Sequence, residues 1–536
     1  MNYGFIIDNR LCIGCHPCTV ACKSEHDVPI GVNRTHVKYI EKGIFPNSSR
    51  EFSVHRCNHC ANAPCVEICP TTALFTRSDG IVDFDNDRCI GCKSCMQACP
   101  YDALYIDPDS HTAAKCNYCA HRLDGGYEPA CVIVCPVEAI ISGDMDDENS
   151  KISGLLANEN VMARKPEKMT QPNLYYINGT NEMLDPNQTK ADWEYVWSEQ
   201  SKGVGHYAKY ADKRVNESDT ENLLIQLAME NSARSGKPID QRSIDKVAKE
   251  IQQDLDESKA RRVYDSPSKG VLWGWEVTSY VWTKAIATGT FLMMAIYQFI
   301  NGTLDHTVEL SGLYTSLIFM GLTGALLVKD LDRPDRFLYV LLRPQWRSWL
   351  VKGAYIITAF GGIVTLLLVD HYFFGFGLKW AWVIGSIFAV LGAIYTAFLF
   401  DQARGRDLWQ SPWIGALHML VHAIIAGSAF MIMIDTGSIS IMRSILYLSI
   451  LLNVFIILKE ILIPHKTPDS KKAIQMMTNG YYSKYFWTGL IIGSLLRILI
   501  LTGSTGYELV AGILALVGIF LTEFVRIRVP QMIPLS

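Results

Sequence analysis

From about Glu276 onward the chain alternates long apolar runs with short polar connections. Eight runs approach the roughly 20 apolar residues that a bilayer core demands: approximately 277–300, 310–328, 349–369, 379–400, 411–434, 441–462, 485–503 and 507–525. A globular core could bury one or two such helices but not eight in succession, so the pattern predicts an all-α bundle of eight transmembrane spans. Before it, residues from about Asp185 to Gly270 are polar and rich in Asn, Asp, Glu, Lys and Ser. There Ile244, Val247, Ile251 and Leu255 form a narrow apolar stripe at helical spacing, as expected of a linker helix lying on its own domain or on a partner. The pattern divides the chain into residues 1–185, a polar and partly helical linker at 186–270, and a membrane domain at 271–536.

All sixteen cysteines fall between Cys12 and Cys135, in four groups of four. The groups are Cys12, Cys15, Cys18 and Cys22; Cys57, Cys60, Cys65 and Cys69; Cys89, Cys92, Cys95 and Cys99; and Cys116, Cys119, Cys131 and Cys135. Two-residue gaps let three thiolates of one short loop face the same iron–sulfur cube. A three-residue gap and a following proline (Pro70, Pro100, Pro136) send the fourth cysteine to a neighbouring cluster. A disulfide scaffold would want an export signal, and residues 1–10 offer neither a basic start nor an apolar stretch nor twin arginines. Zinc ribbons use two Cys-x-x-Cys pairs without a third cysteine two residues on. Four [4Fe–4S] clusters in an α+β ferredoxin-like domain are therefore expected.

These motifs, with widened gaps in the second and fourth, resemble the iron–sulfur subunits of the DMSO reductase and polysulfide reductase family. The stretch from Arg164-Lys-Pro-Glu-Lys168 to Pro172-Asn-Leu-Tyr-Tyr176 is similar to that family's tail. The resemblance implies that motifs one and four exchange their last cysteines, as do two and three. The ligand sets would then be Cys12, Cys15, Cys18 and Cys135; Cys116, Cys119, Cys131 and Cys22; Cys57, Cys60, Cys65 and Cys99; and Cys89, Cys92, Cys95 and Cys69. The first motif departs from the pattern, having Lys23 where a proline is usual. The membrane half resembles NrfD-like subunits of polysulfide reductases, most specifically at Asp330-Leu-Asp-Arg-Pro-Asp-Arg-Phe337, Arg343-Pro344 and Ser348-Trp349. Relatives usually carry Gly at the position of Asp332. Such subunits bind quinone and hold no metal.

Charge sets an orientation. The net charge of −4 gives no sign of nucleic-acid binding. Lys329, Arg333, Arg336, Arg343, Arg347, Arg404, Arg406, Lys466, Lys471, Lys472, Lys484, Arg526 and Arg528 all flank spans on the iron–sulfur side, while the opposite loops are nearly free of basic residues. The positive-inside rule then places the iron–sulfur domain on the cytoplasmic side of the plasma membrane. Trp273, Trp275 and Trp282 read as an interfacial aromatic belt.

Ionisable groups inside spans are costly and point to function. Lys284 lies eight residues beyond Glu276 on the first span, about 12 Å along a helix. His418 and His422 lie about 10–16 Å into the fifth, entering from the same side. All three are candidates to meet a quinone head group, with Asp330 and Asp401 at nearby helix mouths to relay protons. No other span carries histidine, so bis-histidine haem is not expected. Arg497 and Glu508, nearer the opposite face, read as an interfacial anchor or ion pair.

The expected function is a fused electron-transfer and membrane-anchor subunit, carrying electrons between a catalytic partner and the quinone pool (menaquinone or ubiquinone). The resemblance implies that the partner is a molybdopterin (molybdenum or tungsten) subunit. No Ser/His/Asp arrangement, phosphate loop or flavin motif is present. A membrane arm of a nickel–iron hydrogenase, a module of a larger respiratory assembly with further subunits, and a non-catalytic anchor are the alternative readings.

Overall fold

The computed structural model describes residues 1–43, 48–185, 189–191, 260–266, 269–302, 304–434, 439–463, 465, 467–495 and 508–536. The apolar stripe at 244–255 and Arg497 lie outside them, as does the side chain of Glu508.

The amino-terminal unit is built on two four-stranded sheets. In the first, β1 (Tyr3–Asp8) pairs parallel with β10 (Leu174–Ile177) and antiparallel with β8 (Ile140–Asp144), and β9 (Val161–Met162) completes the order β8-β1-β10-β9. Phe5, Ile6 and Ile7 are all buried, because β1 is central and covered on both faces. The second sheet joins β2 (His36–Lys42) and β3 (Ser49–His55) to β11 (Lys190–Ala191) and β12 (Arg261–Tyr264). Strand β12 thus falls within the stretch expected as linker and is part of the iron–sulfur unit. Two hairpins follow the second and third motifs, β4–β5 (Leu74–Thr76, Val82–Phe84) and β6–β7 (Leu104–Ile106, Ala113–Lys115).

Each motif runs from a tight loop into a short helix: α1 (Pro17–Glu25), α2 (Pro64–Ile68), α3 (Ser94–Ala98) and α4 (Ala130–Ile133). The repeated Cys-Ile-Gly-Cys loops need glycine, because Gly14 and Gly91 take left-handed φ of 69° and 67°.

In the carboxy-terminal half, α5 (Trp275–Asn301), α6 (His306–Lys329), α7 (Trp349–Val369), α8 (Lys379–Gln402), α9 (Pro412–Ile434), α10 (Ile439–Leu462) and α13 (Glu508–Met532) form a bundle. Helix α11 (Pro468–Thr478) crosses its iron–sulfur end, and α12 (Ser483–Leu490) begins the seventh expected span. Among the described residues, six helices are long and apolar enough to cross a membrane: α6 to α10 and α13. Helix α5 is equally long, but Glu276, Lys284 and several hydroxyl side chains lower its apolarity. It is also the central helix, packed against α6, α8, α9 and α13. At its closest crossing Gly289 meets Gly427 of α9, where a Cβ on either glycine would overlap the other helix's backbone.

The two halves share one apolar core. Leu272 and Leu399 pack with Cys65, Cys69, Cys95 and Cys99, and Trp349 and Leu350 close the edge. Trp273 is buried rather than interfacial: it stacks on Trp409 at 5.6 Å and donates from its indole to the Cys92 carbonyl at 3.3 Å. Trp282 likewise turns inward, to the Leu516 carbonyl, while Trp275 is half-exposed beneath Lys329.

Candidate functional site

None of the sixteen cysteines is joined in a disulfide. Cys12 lies near enough to Cys15 and Cys135 for their thiolate charges to repel, and Cys18 likewise to Cys12. Cys22 faces Cys116, Cys119 and Cys131. Cys65 faces Cys57, Cys60 and Cys99, and Cys95 faces Cys69, Cys89 and Cys92. Neighbouring sets are close enough for their charges to be felt, which strings them in a line: Cys18 with Cys131, then Cys57 with Cys116, then Cys95 with Cys65. One end of that line carries Cys15, the only solvent-exposed cysteine. The other end reaches Cys92, beside the membrane helices.

Burial pushes these thiols up, to about 11 at Cys18 and Cys57 and about 12 at Cys22, Cys92 and Cys119. Thiolates at these positions would need a cationic partner such as iron to offset burial. The surroundings fit anionic iron–sulfur clusters. Backbone N–H groups of His59, Gly91, Ala113 and Ala139 point at cysteine sulfurs from 3.2–3.5 Å. Two buried cations sit between the sets: Arg56 donates to Cys131 Sγ at 3.0 Å, and Lys115 donates to the Cys116 carbonyl at 2.9 Å. Neither had been singled out from sequence, since nothing in a linear pattern distinguishes a buried cation from a surface one.

The Asp330–Arg336 segment binds the third motif. Lys93 donates to the Asp330 carbonyl at 2.7 Å and pairs with Asp332 at 3.4 Å. The backbone N–H groups of Asp332 and Arg333 reach the Gly91 and Ile90 carbonyls, and Arg336 donates to the carbonyls of Asn86 and Cys89. A Cβ on Gly91 would meet the backbone of Asp332, so this glycine also admits the membrane loop. Arg333 and Arg406 reach the same domain, to the Ser110 carbonyl and to Gln97. Several loop arginines that the sequence counts toward orientation therefore serve docking.

Between the third motif and the helices lies a cavity of about 290 Å³. Ile90, Cys92 and Ser94 form its iron–sulfur wall, with Trp273, Tyr280, Asp330 and Tyr395 among its other sides. Its walls are mostly apolar with a few converging polar groups, the usual character of a small-molecule site. Asp330 lines it but is held by Lys93. Asp401 lies apart, at the end of α8 near Arg404 and Glu67, with its carbonyl bonded by Gln410.

The other three candidates converge. Lys284 is fully buried rather than snorkelling, its ammonium 4.3 Å from the Tyr395 ring centroid and 2.5 Å from Thr396 Oγ1. His418 and His422, one turn apart on α9, face Glu523 of α13, with Nδ1–Oε1 distances of 3.5 and 2.9 Å. His422 also meets Asn453 of α10 at 3.1 Å. Arg526 donates to His418 and pairs with Glu460 at 3.1 Å. Glu523 was missed because it sits near the end of an apolar run. A one-turn offset from Arg526 on a facing helix would have been the signal.

Two family profiles match the chain: a 4Fe-4S dicluster domain over residues 49–145, and polysulphide reductase NrfD over residues 265–534. The amino-terminal part is similar to a polysulfide reductase chain of Wolinella succinogenes, 44% identical over 179 residues, spanning 33% of this chain and 94% of that protein. It is 40% identical over 208 residues to a putative dimethyl sulfoxide reductase iron-sulfur subunit of Halobacterium salinarum, spanning 33% of this chain and 79% of that one. A tetrathionate reductase subunit of Salmonella typhimurium is 41% identical over 204 residues, 37% of this chain and 80% of that one.

Proposed function

This chain belongs to the polysulphide reductase NrfD family through its membrane half and to the reductase iron–sulfur subunits through its first third, and from that premise we propose that it joins a catalytic partner to the quinone pool. The observation that carries this reading is the cavity whose one wall is the Cys92 loop and whose others are membrane helices.

The four cysteine sets would hold four [4Fe–4S] clusters, with Cys15 at the exposed end and Cys69, Cys89, Cys92 and Cys95 next to the bundle. Bound there, such clusters supply one-electron transfer. The chain's own residues do the rest. Arg56 and Lys115 balance buried negative charge between the sets. The Asp330–Arg336 segment fixes the last set against the cavity. Tyr280 and Tyr395 offer polar groups to a quinone head in a mostly apolar pocket. The exposed end, flanked by the exposed apolar side chains Leu11, Ile13 and Val20, is where a molybdopterin subunit would exchange electrons. The bundle would complete eight spans with α5 and α12.

Arg343, Arg347, Lys471 and Lys484 are exposed, and they support a cytoplasmic iron–sulfur domain. Protease added to intact spheroplasts should spare that domain and digest it only after lysis.

Mass spectrometry of the complex purified gently through this chain tests the partner. A molybdopterin subunit is expected; a nickel–iron hydrogenase in its place overturns that assignment. Quinone reduction by a viologen dye tests the site: it should proceed with the intact chain and fail in C69S.

A further inference from the structure

A quinone takes two protons with its two electrons, and the cavity beside Cys92 needs a route for them. The buried groups beyond it form one. Tyr395 lines that cavity and shares a hydrogen bond with Thr396, whose hydroxyl also accepts from the Lys284 ammonium. Lys284 in turn borders a second, enclosed space of about 10 Å³ together with His422 and Glu523. That is close to the ~10–15 Å³ one water needs, and although most of its lining is apolar, Lys284, His422 and Glu523 give a water three polar partners. Glu523 Oε1 and His422 Nδ1 are buried there, and neither completes a hydrogen bond of ordinary geometry among the described residues.

A third cavity, of about 210 Å³, is also lined by Glu523. It is bounded by His418, Glu460, Arg526, His465, Asp407 and the exposed Lys459, at the iron–sulfur ends of α9, α10 and α13. Among the described residues, Glu523 is the one ionisable side chain lining both this cavity and the water-sized one. It is 3% exposed. The groups facing it are Lys284 from α5, His418 and His422 from α9, and Arg526 from its own helix. Asn453 and Glu460 of α10 stand behind them, on His422 and Arg526.

We propose that Glu523 is the proton-exchanging carboxylate between the quinone cavity and the water on the iron–sulfur side of the membrane. This rests on the quinone reading above. The balance for reduction is one quinone, two electrons delivered one at a time through the cluster that would sit at Cys92, which the electron donor re-reduces between them, and two protons passed through Glu523, giving one quinol; oxidation reverses each transfer. His418 and His422 position the carboxylate, and Arg526, held by Glu460, fixes His418. Electrons and protons then reach quinone from one side, so the reaction itself moves no net charge across the membrane. His418, His422 and Glu523 also have the donor set of a metal site, with ligand atoms within 4.8 Å of one another. Arg526 on His418 and Lys284 beside Glu523 already supply the positive charge that an ion would bring.

The test uses the full chain in sealed proteoliposomes with the iron–sulfur domain outward, a short-chain quinone, and a membrane-impermeant viologen radical that carries no proton. The external medium should lose two protons per quinone, with no change in a potential-sensitive dye. E523Q should slow quinone reduction at least tenfold while its iron content and dye-reduced cluster spectrum stay unchanged. Redox-difference infrared spectra should lose a carboxylic-acid band in E523Q. Uptake from the lumen, or E523Q turnover within twofold of wild type, overturns the proposal. So does a stoichiometric non-iron metal lost in E523Q. Should E523Q lose its clusters, E523D decides: a carboxylate withdrawn by one methylene should slow proton uptake at least threefold, and an unchanged rate overturns the relay. If the unaltered chain reduces quinone no faster than C69S, it is the quinone reading that falls, not this route alone.

Discussion

Gln531 joins the two halves more directly than any ion pair, and Q531L measures what that junction contributes. The side chain is fully buried near the end of α13. Its Oε1 accepts from Gln97 Nε2 at 2.5 Å, Trp273 N at 2.9 Å and Leu272 N at 3.1 Å, and its Nε2 donates to the carbonyls of Trp273 and Ile527. Gln97 belongs to α3, between Cys95 and Cys99, and its own Oε1 accepts from Arg406 at 2.8 Å. Leucine leaves three buried donors without their acceptor, at ~1–2 kcal/mol each. Burying a leucine in place of an amide returns ~1 kcal/mol. The net loss should be about 2–5 kcal/mol.

Unfolding of the detergent-solubilised chain by added SDS, followed by the visible absorbance of the clusters, reads this loss as a lower midpoint. Q531E keeps the shared acceptor and should fall between wild type and Q531L. Since Trp273 also holds the Cys92 carbonyl, Q531L should slow cluster-to-quinone transfer as well. A Q531L midpoint within ~1 kcal/mol of wild type would refute the reasoning, because three orphaned donors cannot be that cheap in a dry interface.

Iron analysis should give about 16 atoms per chain, falling by about four in C69S with the other three sets retained. G289A places a methyl against the Ala423 carbonyl on α9 and should sharply lower the yield of folded protein, whereas G321A, with open space around it, should behave as wild type in the same size-exclusion assay. Asp265 is largely shielded from water, which alone would raise it, but Lys38 at 2.6 Å and Arg262 outweigh this and hold it down at about 2. A carboxyl depressed in the folded state adds stability that is present above about pH 4 and lost as the pH falls toward 2, here about 2 kcal/mol. D265N should remove that acid dependence, and a denaturation titration in which both proteins lose stability in parallel from pH 5 to 2 would contradict it.

The cysteine spacing made the iron–sulfur unit legible because a cluster is bound by residues close in sequence, and local spacing survives in a linear pattern. The exchange of fourth cysteines came from resemblance, because a fourth ligand distant in sequence leaves no mark in local spacing. The membrane half was legible as apolar runs, and Lys284, His418 and His422 stood out because charge in such a run is conspicuous. Glu523 did not, since at the end of a run a carboxylate reads as an ordinary boundary. What singles it out is a contact among α5, α9 and α13, residues separated by more than a hundred positions.

The same blindness explains the arginines and tryptophans. A loop arginine on the iron–sulfur side counts toward orientation only if it remains in water near the lipid, because the positive-inside rule reads the cost of moving a free charge through the membrane. Arg336 and Arg406 spend their donors on the carbonyls of Asn86 and Cys89 and of Pro530 and Ile533. Trp273 is likewise no interfacial anchor once its ring lies between Cys92 and Trp409. Joining a soluble domain to a bundle converts the bundle's water-facing end into an interior. Signals calibrated on exposed loops then fail there first. The positions where they fail, Trp273, Arg336 and Arg406, trace the surface across which the third cysteine motif and the bundle are held together.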